Sequence, residues 1–174
     1  SAHARVGDVP RLDDGRLTLR VTEVTLFRLS TTVVAGGELS ANKAILFPNV
    51  PIPSGGVSTR EAAGLSVALD CGVDWIAATA NGSLEVMHGL KRLIAGRARL
   101  MIKIDSKEML DQLDAVLELA DGLFLARGDL GSRMPVEMIP NAHKDTILAA
   151  REAGKPAIVA AQMLESMVGD PTPT

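Results

Sequence analysis

The sequence predicts an α/β protein: a partial (β/α) barrel of the TIM type with about four parallel βα units, preceded by part of a small antiparallel β domain. Three observations lead there. Residues 16–47 read as extended chain, with Leu17, Leu19 and Val21 alternating with polar neighbours. Four short apolar runs then recur at 75–78, 100–104, 123–126 and 157–161, separated by gaps of helix length. Between the two parts lies Phe47-Pro48-Asn49-Val50-Pro51-Ile52-Pro53-Ser54-Gly55-Gly56, which cannot be helix interior. The expected division is therefore a β domain over 1–48 and a barrel portion over 49–174.

In chain order, Thr31-Thr32-Val33-Val34 extends the first β unit into the turn signal Ala35-Gly36-Gly37. A helix begins after Ser58, where Ser58-Thr59-Arg60-Glu61 has capping-box spacing and an apolar-spaced stretch follows to Leu69. Further helices are expected at 83–94, 106–119 and 135–153, with Gly72, Gly96 and Gly154 just beyond helix ends. Four strands cannot close an eight-stranded barrel, which usually takes ~250 residues. The expectation is a fragment, or open edges covered by another chain.

Composition narrows the function classes. The chain has 174 residues, 47% hydrophobic and 22% charged, which is globular rather than disordered or collagen-like. Eighteen Lys and Arg against 21 Asp and Glu leave a net charge of −3, no footprint for nucleic acid or an anionic membrane. Cys71 is the only cysteine, so no disulfide framework exists, and neither a secretory leader nor a 20-residue apolar span is read. A cytoplasmic location is expected.

In βα architectures the working residues stand at the C-terminal ends of strands and in the loops that follow. Here Lys103-Ile104-Asp105 ends one strand, and its i, i+2 spacing puts an ammonium and a carboxylate on one face. The next strand runs into Ala126-Arg127-Gly128-Asp129-Leu130-Gly131, with a second carboxylate between two glycines. Two carboxylates from neighbouring strand ends suit a hard cation, because Mg²⁺ commonly takes one or two and fills its octahedron with water and substrate oxygens. Lys103 beside that ion would stabilise an enolate or a phosphoryl group in transfer. Spacing alone equally allows these to be surface residues or a structural ion pair.

The wording of the segments adds more. Ala126-Arg127-Gly128-Asp129-Leu130-Gly131, then Gly154-Lys155-Pro156, Gln162-Met163-Leu164-Glu165-Ser166-Met167 and Pro171-Thr172-Pro173-Thr174, closely resemble the pyruvate kinase family in order and separation. Lys103-Ile104-Asp105 stands where that family has Lys-Ile-Glu. Gly7-Asp8, Asp13-Asp14-Gly15, Gly36-Gly37, Lys43 and Phe47-Pro48 resemble the second half of its lid domain and the return to the barrel. The resemblance implies transfer of the phosphoryl group of phosphoenolpyruvate to ADP, giving pyruvate and ATP, with Mg²⁺ (or Mn²⁺) and K⁺, in a homo-oligomer when complete. It makes Lys103 the catalytic lysine, Asp105 and Asp129 the metal ligands, and Gly128, Asp129 and Thr79 substrate-binding residues. Lys43 becomes a nucleotide-contacting lysine.

Four positions in three segments depart from the family. Asp105 is one methylene shorter than the usual Glu; Ala161 replaces the threonine of an Ala-Thr-Gln motif; Thr79-Ala80 replaces Ser-Phe. Losing a transition-state donor costs about 2.7–4 kcal/mol, so the resemblance implies a slow enzyme at best, and no turnover from this chain alone. Two alternatives stand beside it: a Mg²⁺-dependent pyruvate-enolate lyase or aldolase on the same barrel, which would have no need of a lid, and a non-catalytic remnant that packs against partner chains. Other residues read as structural: Trp75, Phe124 and the methionines at 101, 109, 134, 138, 163 and 167 as core, and Cys71 as a helix-end residue. Arg127 reads as half of an ion pair, and His3, His88 and His143 lack metal-ligand spacing.

Overall fold

The computed structural model describes residues 4–41, 43, 45–47, 55–160 and 163–172. The first sheet is antiparallel and built from β1 (Arg11–Leu12), β2 (Leu17–Val24), β3 (Leu29–Ala35) and β4 (Ile45–Leu46), in the order β3-β2-β1-β4. A 3-10 turn, Asp13–Gly15, joins β1 to β2. Leu17 and Val21 are buried and Leu19 is half-buried, so the alternation read in the sequence marks the inner face of β2. The two-residue strands are too short to leave a periodic signal. The β2–β3 hairpin turns at Thr25–Arg28, where the Thr25 hydroxyl donates to the Arg28 carbonyl at 3.0 Å and no glycine or proline is present.

The second sheet is parallel. Strands β5 (Trp75–Thr79), β6 (Arg99–Ile104), β7 (Gly122–Ala126) and β8 (Ala157–Ala160) follow one another in both sequence and space. Helices α1 (Thr59–Asp70), α2 (Leu84–Ile94), α3 (Lys107–Asp111), α4 (Leu113–Leu119), α5 (Arg127–Arg133) and α6 (Ile139–Glu152) fill the connections. This is the repeated βα pattern, because a strand buried on both faces needs a helix to cross back over it. Each of the four apolar runs becomes a strand within about a residue or two. The chain begins α1 with a full capping box: Glu61 N–H donates to the Ser58 hydroxyl at 3.2 Å and Ser58 N–H to the Glu61 carboxylate at 2.8 Å.

One predicted helix is broken. The stretch 106–119 is two helices, α3 and α4, divided at Gln112, whose backbone leaves the helical region at φ −113° and ψ 23°. Its side-chain amide folds back to donate to the Glu108 carbonyl at 3.0 Å, so a local side-chain bond competes with the helix ladder. The last predicted helix, 135–153, starts later as α6, after a 3-10 turn at Val136–Met138. Four structural readings are corrected as well. Met138, Met163 and Met167 are exposed, whereas Met101, Met109 and Met134 are buried. Trp75 is only half-buried and carries the Arg99 guanidinium over its ring at 5.4 Å.

A single apolar cluster, from Leu65 and Met87 through Ile102 and Leu123 to Ala150, fills the space between the parallel sheet and its helices. Gly122 opens β7 because a Cβ there would lie 3.1 Å from Met101, Pro156 and the Pro156 carbonyl. Leu130, Met134 and Ile139 form a second, smaller cluster under α5. That anchor fixes the short helix directly after β7. The domain boundary read at 48–54 lies outside the described residues.

Candidate active site at the strand ends

The register of the parallel sheet brings the expected residues to one edge. Thr79, the last residue of β5, pairs with Lys103 near the end of β6, and Lys103 pairs in turn with Phe124 of β7. Asp105 follows β6 directly, and β7 passes without a loop into α5, whose first turn holds Gly128 and Asp129. Neighbouring strands in a sheet lie roughly 4.8 Å apart, so side chains at these ends can meet.

Lys103 and Asp129 do meet. The Lys103 Nζ lies 2.5 Å from Asp129 Oδ2, with both side chains only partly shielded from solvent. Asp105 is buried, 4% exposed, and its Oδ1 has no hydrogen-bond partner. Burial pushes its pKa up; Arg133 and Lys103 pull it back, and Asp129 adds to the rise. All three charges therefore act on the Asp105 carboxylate, which places Lys103, Asp105, Asp129 and Arg133 in one electrostatic neighbourhood. Thr79 is exposed at the same edge.

Lys43 is held elsewhere. Its Nζ lies 2.6 Å from Asp13 Oδ1, and that hydrogen bond keeps the Asp13 carboxyl below the ordinary carboxylate range. The Asp13–Gly15 turn packs against α5, so the pair sits on the side of the antiparallel sheet that faces the helix bearing Gly128 and Asp129. Ala161 lies outside the described residues.

An orphaned buried carboxylate oxygen calls for a cation or a donor, and a second carboxylate is at hand in Asp129. The donor set therefore fits a hard divalent ion that takes two protein oxygens. Among the described residues no group of three or more His, Cys, Asp or Glu side chains gathers, so a closed structural metal site is not built here.

Two residues, Arg133 and Ser106, escaped the sequence reading, and His143 was read there only as lacking metal-ligand spacing. Arg133 ends α5 four residues after Asp129, a spacing that places both on one helix face. That i, i+4 relation was available as a signal. Ser106 is buried with an unpartnered hydroxyl, and His143 has a buried, unpartnered Nε2. Burial, then the nearby Arg127 charge, holds the His143 pKa down. Lys155 plays a structural part: its ammonium donates to the Leu117 carbonyl and, at 2.7 Å, to that of Ala120, satisfying the end of α4.

Parallel βα units with a lysine and carboxylates at the C-terminal strand edge are the arrangement of part of an α/β barrel. Comparison with known proteins narrows the class. The family model "Pyruvate kinase, barrel domain" matches residues 2–174. The pyruvate kinase of Methylorubrum extorquens is 41% identical over 163 residues, covering 94% of this chain and 34% of its own. Pyruvate kinase 2 of Synechocystis is 40% identical over 168 residues, 94% of this chain and 28% of its own. The pyruvate kinase of Mycobacterium tuberculosis is 36% identical over 174 residues, 98% and 37% respectively. The chain belongs to the pyruvate kinase family, and it spans about a third of the length of these relatives.

Proposed function

We propose that this chain carries the middle of a phosphoenolpyruvate:ADP phosphotransferase site, with residues 1–48 as part of a lid and 49–174 as part of the barrel. The observation that supports it most is the meeting of Lys103 and Asp129 at 2.5 Å beside the buried, unpartnered carboxylate of Asp105. Asp105 and Asp129 would hold Mg²⁺ or Mn²⁺. The chemistry a bound divalent ion supplies there is stabilisation of negative charge on enolate and phosphoryl oxygens.

The chain's own residues account for the rest. Lys103 exchanges Asp129 for a substrate oxygen, and its ammonium stabilises the transferring phosphoryl group and the enolate left behind. The first amides of α5, at Gly128 and Asp129, receive the substrate carboxylate; the residue before the helix, Ala126, offers them no side-chain cap. Thr79 donates its hydroxyl from the neighbouring strand end. Lys43, kept in place by Asp13, meets the nucleotide phosphates from the lid. Among the described residues no helix is long and apolar enough to cross a membrane; a cytoplasmic location and a homo-oligomer belong to the same proposal.

Mn²⁺ binding in the protein at its full length, followed by electron paramagnetic resonance, tests the assignment. Asp129→Ala is expected to abolish binding while Cys71→Ala leaves it unchanged. Equal affinity in wild type and Asp129→Ala overturns it.

A further inference from the structure

The loop after β5 holds a reactive pair that the strand-end site does not use. Ala80-Asn81-Gly82-Ser83 forms a tight turn, closed by the Ser83 N–H donating to the Ala80 carbonyl at 2.9 Å. Asn81 and Gly82 both have positive φ, 48° and 77°, the signature of a type I′ turn, which Asn-Gly adopts readily. Turn geometry accounts for the two residues standing together. Their chemistry is a separate matter.

Asn81 is exposed, and among the described residues its side-chain amide has no hydrogen-bond partner. The Gly82 N–H likewise donates to none of them, while the Gly82 carbonyl accepts from Gln112 Nε2 at 3.5 Å. With no Cβ at 82, no side chain shields that nitrogen. An unbonded backbone nitrogen and a carboxamide carbon on adjacent residues are the two partners of a five-membered ring closure, and asparagine is among the thermolabile residues. The other asparagines lack this setting: Asn42, Asn49 and Asn141 precede Lys43, Val50 and Ala142, and Asn141 lies inside α6. The loop is anchored on both sides, by the fully buried Ala80 and by Ser83, whose hydroxyl caps α2.

We propose that Asn81 is a site of self-modification, at which the chain converts the asparagine to aspartate and isoaspartate without an enzyme. The Gly82 nitrogen gives up its proton and attacks Asn81 Cγ. The N–Cγ bond forms, the Cγ–Nδ2 bond breaks, and Nδ2 takes up a proton and leaves as ammonia. Water then opens the cyclic imide. Breaking the new N–Cγ bond restores the normal chain with aspartate; breaking the bond from Gly82 N to the Asn81 main-chain carbonyl carbon leaves the chain running through Cγ, as isoaspartate. One water is consumed, one ammonia is released, and nothing is oxidised or reduced. Ring closure requires Asn81 to leave its turn conformation, which costs the single Ser83–Ala80 bond, and exposed loops open at low free energy. Either product adds a carboxylate two residues beyond Thr79, which pairs with Lys103 in the sheet. The covalent step does not depend on the phosphotransferase reading.

Incubation of the folded full-length protein at mildly alkaline pH, followed by peptide mapping with mass detection, tests this. The peptide containing residue 81 is expected to gain the mass of an amide-to-acid conversion and to split into two isomers. One of them should accept a methyl group from an isoaspartyl carboxyl methyltransferase. Conversion should quicken as pH rises, because hydroxide removes the Gly82 amide proton, and the Asn141 peptide should stay unchanged. Asn81→Gln, which would need a larger ring, is expected to lose the modification. Asn81→Asp keeps the turn and should yield the isoaspartyl product with no change in mass. An Asn81 peptide that stays unmodified in the folded protein, whether or not urea-unfolded protein reacts, overturns the proposal. So does aspartate formed without isoaspartate, or equal conversion at Asn141.

Discussion

The two sheets of this chain are stabilised differently. The parallel sheet sits on a continuous apolar cluster that draws on five helices and, with its partly buried members, all four strands, and Ile102, Ile104, Leu123 and Leu125 are fully buried. The antiparallel sheet buries Pro10, Leu12, Leu17 and Val21 but leaves Val33, Val34 and Ile45 exposed, and the hairpin tip presents Phe27 at 92% exposure. One part therefore has a core of its own. The other relies on its strand ladder, an ion pair and the contact of the Asp13–Gly15 turn with α5. Regions with few buried apolar contacts open at lower free energy than those with many. Under the proposed function the two parts would divide the labour, the strand edge holding the charged groups while the looser sheet lets a nucleotide enter and leave.

The largest expected effect follows from that difference. Ile102→Ala, at the centre of β6, should destabilise the protein by about 2–5 kcal/mol, through lost transfer energy and the cavity left behind. Val33→Ala in β3 should stay within about 0.5 kcal/mol, since that side chain is already largely solvated. Urea unfolding of the two variants provides the check. Similar losses at both positions would mean that the antiparallel sheet is covered in solution, and the contrast between the sheets would fail.

Within the parallel part, stability and function oppose each other at Asp105. Its carboxylate is buried and one oxygen lacks a partner, so replacing the charge should help the metal-free protein. Asp105→Asn is expected to gain about 1–3 kcal/mol of stability without metal, while Mn²⁺ affinity is lost. Thermal unfolding with and without Mn²⁺ reads both effects. A variant less stable than wild type in metal-free buffer would show that the carboxylate is satisfied in the folded protein and that the divalent site is not preformed.

How much of this was legible in the sequence depended on the length of each signal. The strands at 75–79 and 122–126 announce themselves because both faces are apolar, and the capping box at Ser58 and Glu61 because two side chains repeat a known spacing. The break at Gln112 was not legible: glutamine is a good helix former, and only its tertiary setting turns its amide back on Glu108. The hairpin at Thr25–Arg28 hid for a similar reason, since Thr-Leu-Phe-Arg contains none of the usual turn residues. Among the candidate site residues, Lys103, Asp105 and Asp129 stood out from strand-end position and motif wording. Arg133 was not, although its i, i+4 spacing from Asp129 was available, because neither a strand end nor motif wording pointed to it.

The smallest expected effect lies in the looser sheet. Lys43 holds the Asp13 carboxyl below its ordinary pKa by a direct hydrogen bond. An acid whose folded pKa is depressed contributes stability that is complete above its unfolded value, about 4, and disappears as pH falls through the folded value. The Asp13–Lys43 pair should therefore release on acidification below the ordinary carboxylate range, freeing Lys43 from its place beside α5. Carboxyl titration by NMR should give Asp13 a midpoint below the usual one, and Lys43→Met should return it to the ordinary range while the amides of β6 and β7 stay unmoved. An Asp13 midpoint that is the same with and without Lys43 would show that the pair does not persist in solution, and the tie between the antiparallel sheet and the strand-end site would rest on backbone packing alone.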